Sequence, residues 1–214
     1  MRFHRTLLFV ITTAGLTSLG ACTTPTPPNT IRNLEGDDSA TLPRQVTDQP
    51  LALTRFHAPQ QLAGLESDGE ISSDRDGWRQ WVFGDPGTRL TVTVYGLPGG
   101  WQDLDQQRIV SGHYGQLRQR RINRVYNSDN QSIRFTSERL FDLEGHLTAS
   151  ARYLVNQPGR QPLSEVLLVT VDGDHFVRVE CASRALRTRQ LLQISKRALA
   201  EFRAHQTAGS SIAW

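Results

Sequence analysis

Histidine and aspartate side chains flank two predicted hairpin turns in the second half of the chain. His146 directly follows one of them. The other contains Asp172 and Asp174 and is followed by His175. If both turns lie at the same end of one sheet, these imidazole and carboxylate groups converge and could transfer protons in a hydrolase. The competing interpretation is that aspartate and glycine stand there because tight turns need their backbone conformations.

The sequence holds none of the established patterns that would support such a reaction. The histidines form no HExxH motif and no cysteine–histidine zinc spacing. GxSxG and SxxK nucleophile motifs, phosphate-binding glycine loops and dinucleotide fingerprints are missing as well. We therefore expect no catalytic residue, no metal and no cofactor, and a binding or accessory module in preference to an enzyme.

A concentrated positive charge is formed by Arg118, Arg120 and Arg121, named here the arginine cluster. Guanidinium groups in such a cluster can bind anionic lipid headgroups, lipopolysaccharide phosphates or an acidic partner. The alternative is a solvated helix end, where positive side chains are favoured by the helix dipole. The arginine cluster is thus a candidate anionic-ligand surface.

Alternating apolar residues predict the sheet that would carry the two turns. Residues 132–181 are interpreted as a meander of four antiparallel strands, because runs with period-two alternation are separated by turn sequences. Two earlier strands are predicted at 78–83 and 89–95 on the same grounds. Cys181 falls on the apolar side of the last strand, which indicates a buried, inert thiol.

Two helices are predicted beside the sheet. An apolar stripe at helical spacing marks 185–205, and acidic residues followed by basic ones mark 102–118. The expected fold class is α+β, a mainly antiparallel sheet of about six strands with two helices packed on it. In element order this chain resembles the Mog1/PsbP-like domains, and the resemblance implies an α-β-α sandwich.

The first 22 residues have the layout of an export signal. Two arginines begin it, and the apolar run that follows, 7–16, is too short to span a bilayer. Leu19-Gly20-Ala21-Cys22 resembles the lipobox of bacterial lipoproteins. The resemblance implies cleavage between Ala21 and Cys22, a diacylglyceryl group on the Cys22 sulfur and an acyl chain such as palmitate on its amino group. The alternative is an ordinary signal peptide in which Cys22 is incidental.

The same resemblance implies a location. Acyl chains on Cys22 would anchor the protein to a membrane, and Thr23 stands where family members retained in the inner membrane often carry Asp. We expect the periplasmic face of the outer membrane, with an envelope protein as a further partner. Nucleic acid is not an expected partner, because the net charge of +3 falls by two when Arg2 and Arg5 leave with the signal.

Composition divides the chain into four parts. A length of 214 residues accommodates one domain. The parts are a signal peptide (1–21), the lipidated cysteine with a flexible tether rich in Pro and Thr (22–50), a single α+β domain (51–206) and a flexible tail (207–214). If Cys22 carries lipid, Cys181 has no disulfide partner within the chain.

Overall fold

The computed structural model describes residues 53–73, 76–128 and 130–210. The predicted signal peptide, Cys22 and the predicted tether lie outside these residues, as do positions 211–214 of the predicted tail. The lipid anchor and the export signal therefore stay predictions from the sequence.

One antiparallel sheet contains the eight strands found within the described residues. In chain order they are β1 (Gln61–Leu62), β2 (Leu65–Ser73), β3 (Trp78–Asp85), β4 (Thr88–Gly96), β5 (Ser132–Leu143), β6 (His146–Asn156), β7 (Leu163–Asp172) and β8 (His175–Ser183). A short 3-10 helix, Leu53–Arg55, precedes them; α1 (Gln106–Tyr126) connects β4 to β5, and α2 (Thr188–Ser210) follows β8. Across the sheet the order is β1-β2-β3-β4-β8-β7-β6-β5.

The sheet has eight strands where about six were expected, and the two additional ones are β1 and β2. β1 is two residues long, and the nine residues of β2 read LESDGEISS, with mostly exposed side chains. A polar strand of this kind has no apolar alternation that would reveal it in the sequence. It forms instead through its backbone pairing with β3. The α+β class and the packing of two helices on a large antiparallel sheet are confirmed.

Each face of the sheet is covered by one helix. Because successive strand residues point to opposite faces, β4 places Val92 and Val94 on one side and Tyr95 on the other. The first side packs against Leu199 and Phe202 of α2, and full burial of such a side chain contributes about 1.5–3 kcal/mol. The second side packs against α1, whose buried residues are Ile109, Val110, His113, Leu117 and Val125.

α1 begins and ends later than the predicted range 102–118. Its N-cap is Asp105, whose side chain accepts a hydrogen bond of 2.9 Å from the backbone N of Arg108 and so satisfies one of the free N–H groups of the first turn. The helix continues to Tyr126. The arginine cluster therefore lies inside the helix and not at its carboxyl end. α2 likewise runs past its predicted limit, to Ser210.

The β5–β6 and β7–β8 turns lie at the same end of the sheet, because β5, β6, β7 and β8 are consecutive antiparallel neighbours. Gly145 and Gly173 adopt φ angles of 82° and 56° there, a left-handed conformation that glycine reaches without steric strain. This end of the sheet carries His146, Asp172, Asp174 and His175.

Candidate functional site

A cavity of about 300 Å³ lies at this end of the sheet. Three parts of the chain enclose it: the segment that follows the first 3-10 helix, the ends of the two hairpins, and the last turns of α2. The lining residues are Arg55, Phe56, His146, Asp172, Arg203, Gln206 and Thr207. His146 and Asp172 are thus brought to one site, as the convergence of the two turns predicts.

Arg203 of α2 lines the cavity and is held by the ends of two strands. Its Nη2 donates to Thr170 Oγ1 and to the carbonyl oxygen of Val171, each at 3.3 Å, and its Nη1 lies 3.5 Å from the carbonyl oxygen of Leu143. The residue is only 8% exposed, and its Nε atom is buried without a hydrogen-bond partner in the described residues. Burial lowers the pKa of the Arg203 guanidinium, whereas the charge of Asp172 raises it.

The guanidinium of Arg203 remains charged under any ordinary condition, because arginine does not deprotonate in proteins. A buried N–H donor that has no acceptor destabilises the folded protein by about 1–3 kcal/mol. The Nε of Arg203, a residue that lines the cavity, is such a donor within the described part of the chain. A bound anion would compensate the positive charge of this guanidinium.

Arg55 is a second arginine among the lining residues. Its Nη2 lies 3.2 Å from Nδ1 of His175, and its Cζ stands 4.7 Å from the ring centre of Phe56. Since a guanidinium only donates hydrogen bonds, Nδ1 of His175 accepts, and the hydrogen-bond network assigns the imidazole proton to Nε2. His175 is 5% exposed; burial, and secondly the charge of Arg55, lower its pKa. The imidazole is thus a neutral group at neutral pH.

The segment that carries Arg55 and Phe56 is fixed by two side chains from other elements. Gln206 of α2 binds the backbone of His57 twice, with Nε2 2.6 Å from its O and Oε1 3.0 Å from its N. Arg79 of β3 donates from Nη1 to the carbonyl oxygen of Phe56 at 2.7 Å. These contacts hold the wall of the cavity in place before any ligand arrives, which lowers the entropy lost on binding.

Asp172 is the acidic residue that lines the cavity. It is partly buried, and within the described part of the chain its carboxylate makes no hydrogen bond and no ion pair. His146 lines the cavity from the neighbouring hairpin. Asp174, also predicted at this site, is not among the lining residues; its backbone oxygen accepts a hydrogen bond of 2.9 Å from the N of Leu97.

The arginine cluster lies elsewhere, on α1, and two of its members have carboxylate partners. Arg118 binds Glu138 with an Nε–Oε1 distance of 2.6 Å, and Arg121 binds both oxygens of Glu165 at 2.7 and 2.5 Å. Burial lowers the pKa of Arg120. Much of the positive charge that the sequence concentrates here is therefore balanced by strands β5 and β7.

A buried polar pair beneath α1 has no counterpart among the sequence expectations. The hydroxyl of Tyr95 lies 2.5 Å from Nε2 of His113, whose ring stacks on Phe176 with a centroid distance of 4.0 Å. Burial raises the pKa of the Tyr95 hydroxyl and lowers the pKa of His113 to about 3. Both side chains are inside the core, so the pair stabilises the packing of α1 and is closed to a ligand.

Neither a group of metal ligands nor the thiol of Cys181 forms a second candidate site in the described part of the chain. Within residues 53–73, 76–128 and 130–210, no three histidine, cysteine, aspartate or glutamate side chains are placed to hold a metal ion. Cys181 is a buried free thiol, as its strand position predicts, and burial raises its pKa to about 12. No helix of the same residues combines the length and apolar character needed to cross a membrane.

The two arginines that line the cavity, Arg55 and Arg203, were not predicted from the sequence. The two residues are far apart in the chain, and neither belongs to a motif. One signal was present: Arg203 stands four residues after Leu199, and therefore on the buried side of a helix whose apolar stripe faces the sheet. An arginine at such a position is rarely buried without a functional or ion-pairing reason.

Comparisons with known proteins give only distant likenesses. No protein-family model matches the chain, and no curated protein matches it. Among solved structures it is similar to the PsbP protein of the cyanobacterium Synechocystis sp. PCC 6803, with 12% identity, 62% of this chain and 89% of that chain covered, and a TM-score of 0.42. It is also similar to a protein of unknown function from Pseudomonas aeruginosa, with 10% identity, coverage of 61% and 81%, and a TM-score of 0.34. These likenesses assign neither a family nor a function.

Proposed function

We propose that the protein is a lipid-anchored module of the bacterial cell envelope that binds a small anionic ligand, without catalysis, in the cavity at the hairpin end of its sheet. The observation that carries this proposal is the pair Arg55 and Arg203 on one cavity, with the Nε of Arg203 buried and unpartnered. Carboxylates and phosphates are the groups that a guanidinium binds best.

The charges of the lining residues favour the binding of an anionic ligand. Among the described lining residues, two guanidinium groups face one carboxylate, that of Asp172. The site is partly removed from water, where electrostatic attraction is stronger than on the surface.

Catalysis by a hydrolase is the second candidate, because His146 and Asp172 line the cavity and His175 contacts Arg55. Binding is favoured over it for one chemical reason. Nδ1 of His175 is occupied by Arg55, so this nitrogen is unable to take a proton from a substrate while that contact lasts. The test is complementation of a strain that lacks the protein. If the His146→Ala variant and the His175→Ala variant each complement every phenotype of that strain, the hydrolase is excluded.

An anionic surface bound by the arginine cluster is the third candidate. It is less favoured because Arg118 and Arg121 are already paired with Glu138 and Glu165. Vesicles of anionic lipid would test it: salt-sensitive binding that is lost on charge reversal at these two arginines would support this surface.

The detailed fold class is a further part of this proposal. With α1 and α2 on opposite faces of the sheet, we infer the α-β-α sandwich of Mog1/PsbP-like domains. The order of elements along the chain supports this inference. A fold of this class hosts no single function, so the functional proposal depends on the cavity alone.

The binding test uses the full-length protein and two probes, acetate and inorganic phosphate, titrated by calorimetry. We expect at least one probe to bind, and Arg55→Gln to weaken it about tenfold, which corresponds to about 1.4 kcal/mol. The control is Arg189→Gln, an exposed arginine of α2 outside the cavity. If neither probe binds, or if both variants behave alike, the proposed function is wrong.

The location test is the intact mass of the protein extracted from membranes, beside the Cys22→Ala variant. The lipobox resemblance of Leu19-Gly20-Ala21-Cys22 supports a mature chain that begins at Cys22 and carries diacylglyceryl and acyl groups, in the outer membrane and facing the periplasm. The variant should lack this mass. A soluble species with an unmodified Cys22 would refute the anchor and leave the cavity proposal standing.

A further inference from the structure

We infer that the ligand of this cavity is a small zwitterion, an amino acid or a dipeptide, whose carboxylate binds Arg55 and Arg203 and whose ammonium group binds Asp172. This inference rests on the proposed function, because it specifies the anion that the two arginines hold. It adds a second point of recognition, the carboxylate of Asp172.

The position of Asp172 is the first argument. Asp172 lines the same cavity as Arg55 and Arg203, yet among the described residues its carboxylate forms an ion pair with neither. A ligand with only negative charge would be repelled by Asp172 and attracted by the arginines. A ligand that also carries an ammonium group turns this repulsion into a charge-assisted hydrogen bond.

The way in which Arg203 is held is the second argument. Its two Nη atoms are directed to Thr170, Val171 and Leu143, and these contacts keep the side chain away from direct pairing with Asp172. The lining of the cavity thus contains a cation and an anion that are not joined by an ion pair among the described residues. Separated opposite charges on a protein surface complement separated opposite charges on a ligand.

The size of the cavity sets the limit on the ligand. A volume of about 300 Å³ stands at the lower end of the range of small-molecule sites, which is about 300–1,000 Å³. An amino acid or a dipeptide fits such a space. The amine, the carboxylate and little else should therefore determine recognition.

A competing explanation is that Asp172 only balances the buried charge of Arg203. In that case Asp172→Asn would strengthen the binding of every anion alike, because it removes a repelling charge. For a zwitterion site the same substitution abolishes the preference for ligands with a free amine. The two explanations thus differ in a ratio of affinities, which a general change in stability does not alter.

The experiment titrates the full-length protein by calorimetry with L-alanine, L-alanyl-L-alanine and N-acetyl-L-alanine. We expect the better of the two zwitterions to bind at least tenfold more tightly than the acetylated compound. In Asp172→Asn this ratio should fall to about one. Asp103→Asn, at an exposed position before α1, is the matched control and should keep the ratio. The comparison of alanine with alanyl-alanine distinguishes a free amino acid from a dipeptide as the ligand.

Two results would overturn the inference, and they are distinguishable. If N-acetyl-L-alanine binds the unaltered protein as tightly as the zwitterions do, the inference is wrong and the anion site stands. If no zwitterion, acetylated compound, acetate or phosphate binds, both the inference and the proposed function are wrong. The comparison within the unaltered protein decides the matter even if Asp172→Asn does not fold.

Discussion

The guanidinium of Arg55 contacts the imidazole of His175 with an Nη2–Nδ1 distance of 3.2 Å, across 120 positions of the chain. The contact joins the first segment of the described domain to the first residue of β8. It also sets the state of both groups, because the guanidinium donates and the imidazole must accept. This contact positions Arg55 at the cavity, and after burial the charge of Arg55 is the second cause that lowers the pKa of His175.

We predict that Arg55→Gln raises the pKa of His175. Burial and then the charge of Arg55 hold this pKa below its usual value of 6.5, and the variant removes the charge. A pKa below that of the unfolded chain means that the neutral imidazole's contribution to stability is lost as the pH falls below 6.5. The measurement is an NMR titration of the His175 ring protons. Arg189→Gln, outside the cavity, should leave the titration unchanged, and an unshifted His175 in Arg55→Gln would contradict the contact.

We predict that His113 makes the free energy of unfolding decrease in acid. Its folded-state pKa is about 3, against 6.5 in the unfolded chain, so between these values the unfolded state binds a proton that the folded state refuses. The free energy of unfolding should therefore decrease by up to about 1.4 kcal/mol per pH unit as the pH falls from 6.5 towards 3.

His113→Gln isolates this contribution from that of the carboxylates. Glutamine can still hydrogen-bond the Tyr95 hydroxyl but does not titrate. Measured by urea unfolding, the variant should be less stable than the unaltered protein at pH 7, and the difference should shrink as the pH falls. A difference that is constant from pH 7 to pH 4 would show that His113 does not titrate as stated.

How much of the fold could be foreseen depends on side-chain alternation. β4, with Leu90, Val92 and Val94 on one face, has the period-two pattern that identifies a strand. β2 has no such pattern, because its side chains are mostly exposed; its backbone pairs with β3, and Glu70 binds Arg79 and Trp81 of that strand. The extent of α1 was also underestimated, since ion pairs such as Arg121 with Glu165 replace much of the apolar stripe by which a helix is recognised.

Some lining residues of the cavity could be predicted from the sequence, and others could not. His146 and Asp172 were expected to meet, because hairpin turns of one meander alternate between the two ends of a sheet. Arg55 was not, since its place depends on contacts from Gln206 and Arg79 to neighbouring backbone atoms. Contacts of this kind join distant parts of the sequence and leave no local periodicity.

The ion pairs of α1 should differ in strength according to burial. The side chains of Arg121 and Glu165 are 18% and 15% exposed, whereas those of Arg118 and Glu138 are 36% and 34% exposed. In a double-mutant cycle with Arg121→Met and Glu165→Gln, we expect a coupling energy of about 1–3 kcal/mol. The matched cycle with Arg118→Met and Glu138→Gln should give about 0.2–1 kcal/mol. Urea unfolding measures both, and equal couplings would mean that burial does not control these pairs.

A count of reactive thiols tests the structure and the anchor together. Cys181 is buried, and burial raises its pKa to about 12, so the thiolate that reacts with alkylating reagents is scarce in the folded protein. We predict that iodoacetamide leaves Cys181 unmodified at pH 8 and modifies it after unfolding. Rapid labelling of Cys181 in the folded state would contradict its burial.

The same experiment in denaturant gives information about Cys22. A thioether to diacylglyceryl does not react with iodoacetamide, so the protein extracted from membranes should incorporate one equivalent, at Cys181. The matched control is the chain produced without its export signal, in which Cys22 is an ordinary thiol and two equivalents are expected. Two equivalents in the membrane-extracted protein would refute the lipid on Cys22, and none in either would mean that Cys181 is already oxidised or bonded to another molecule.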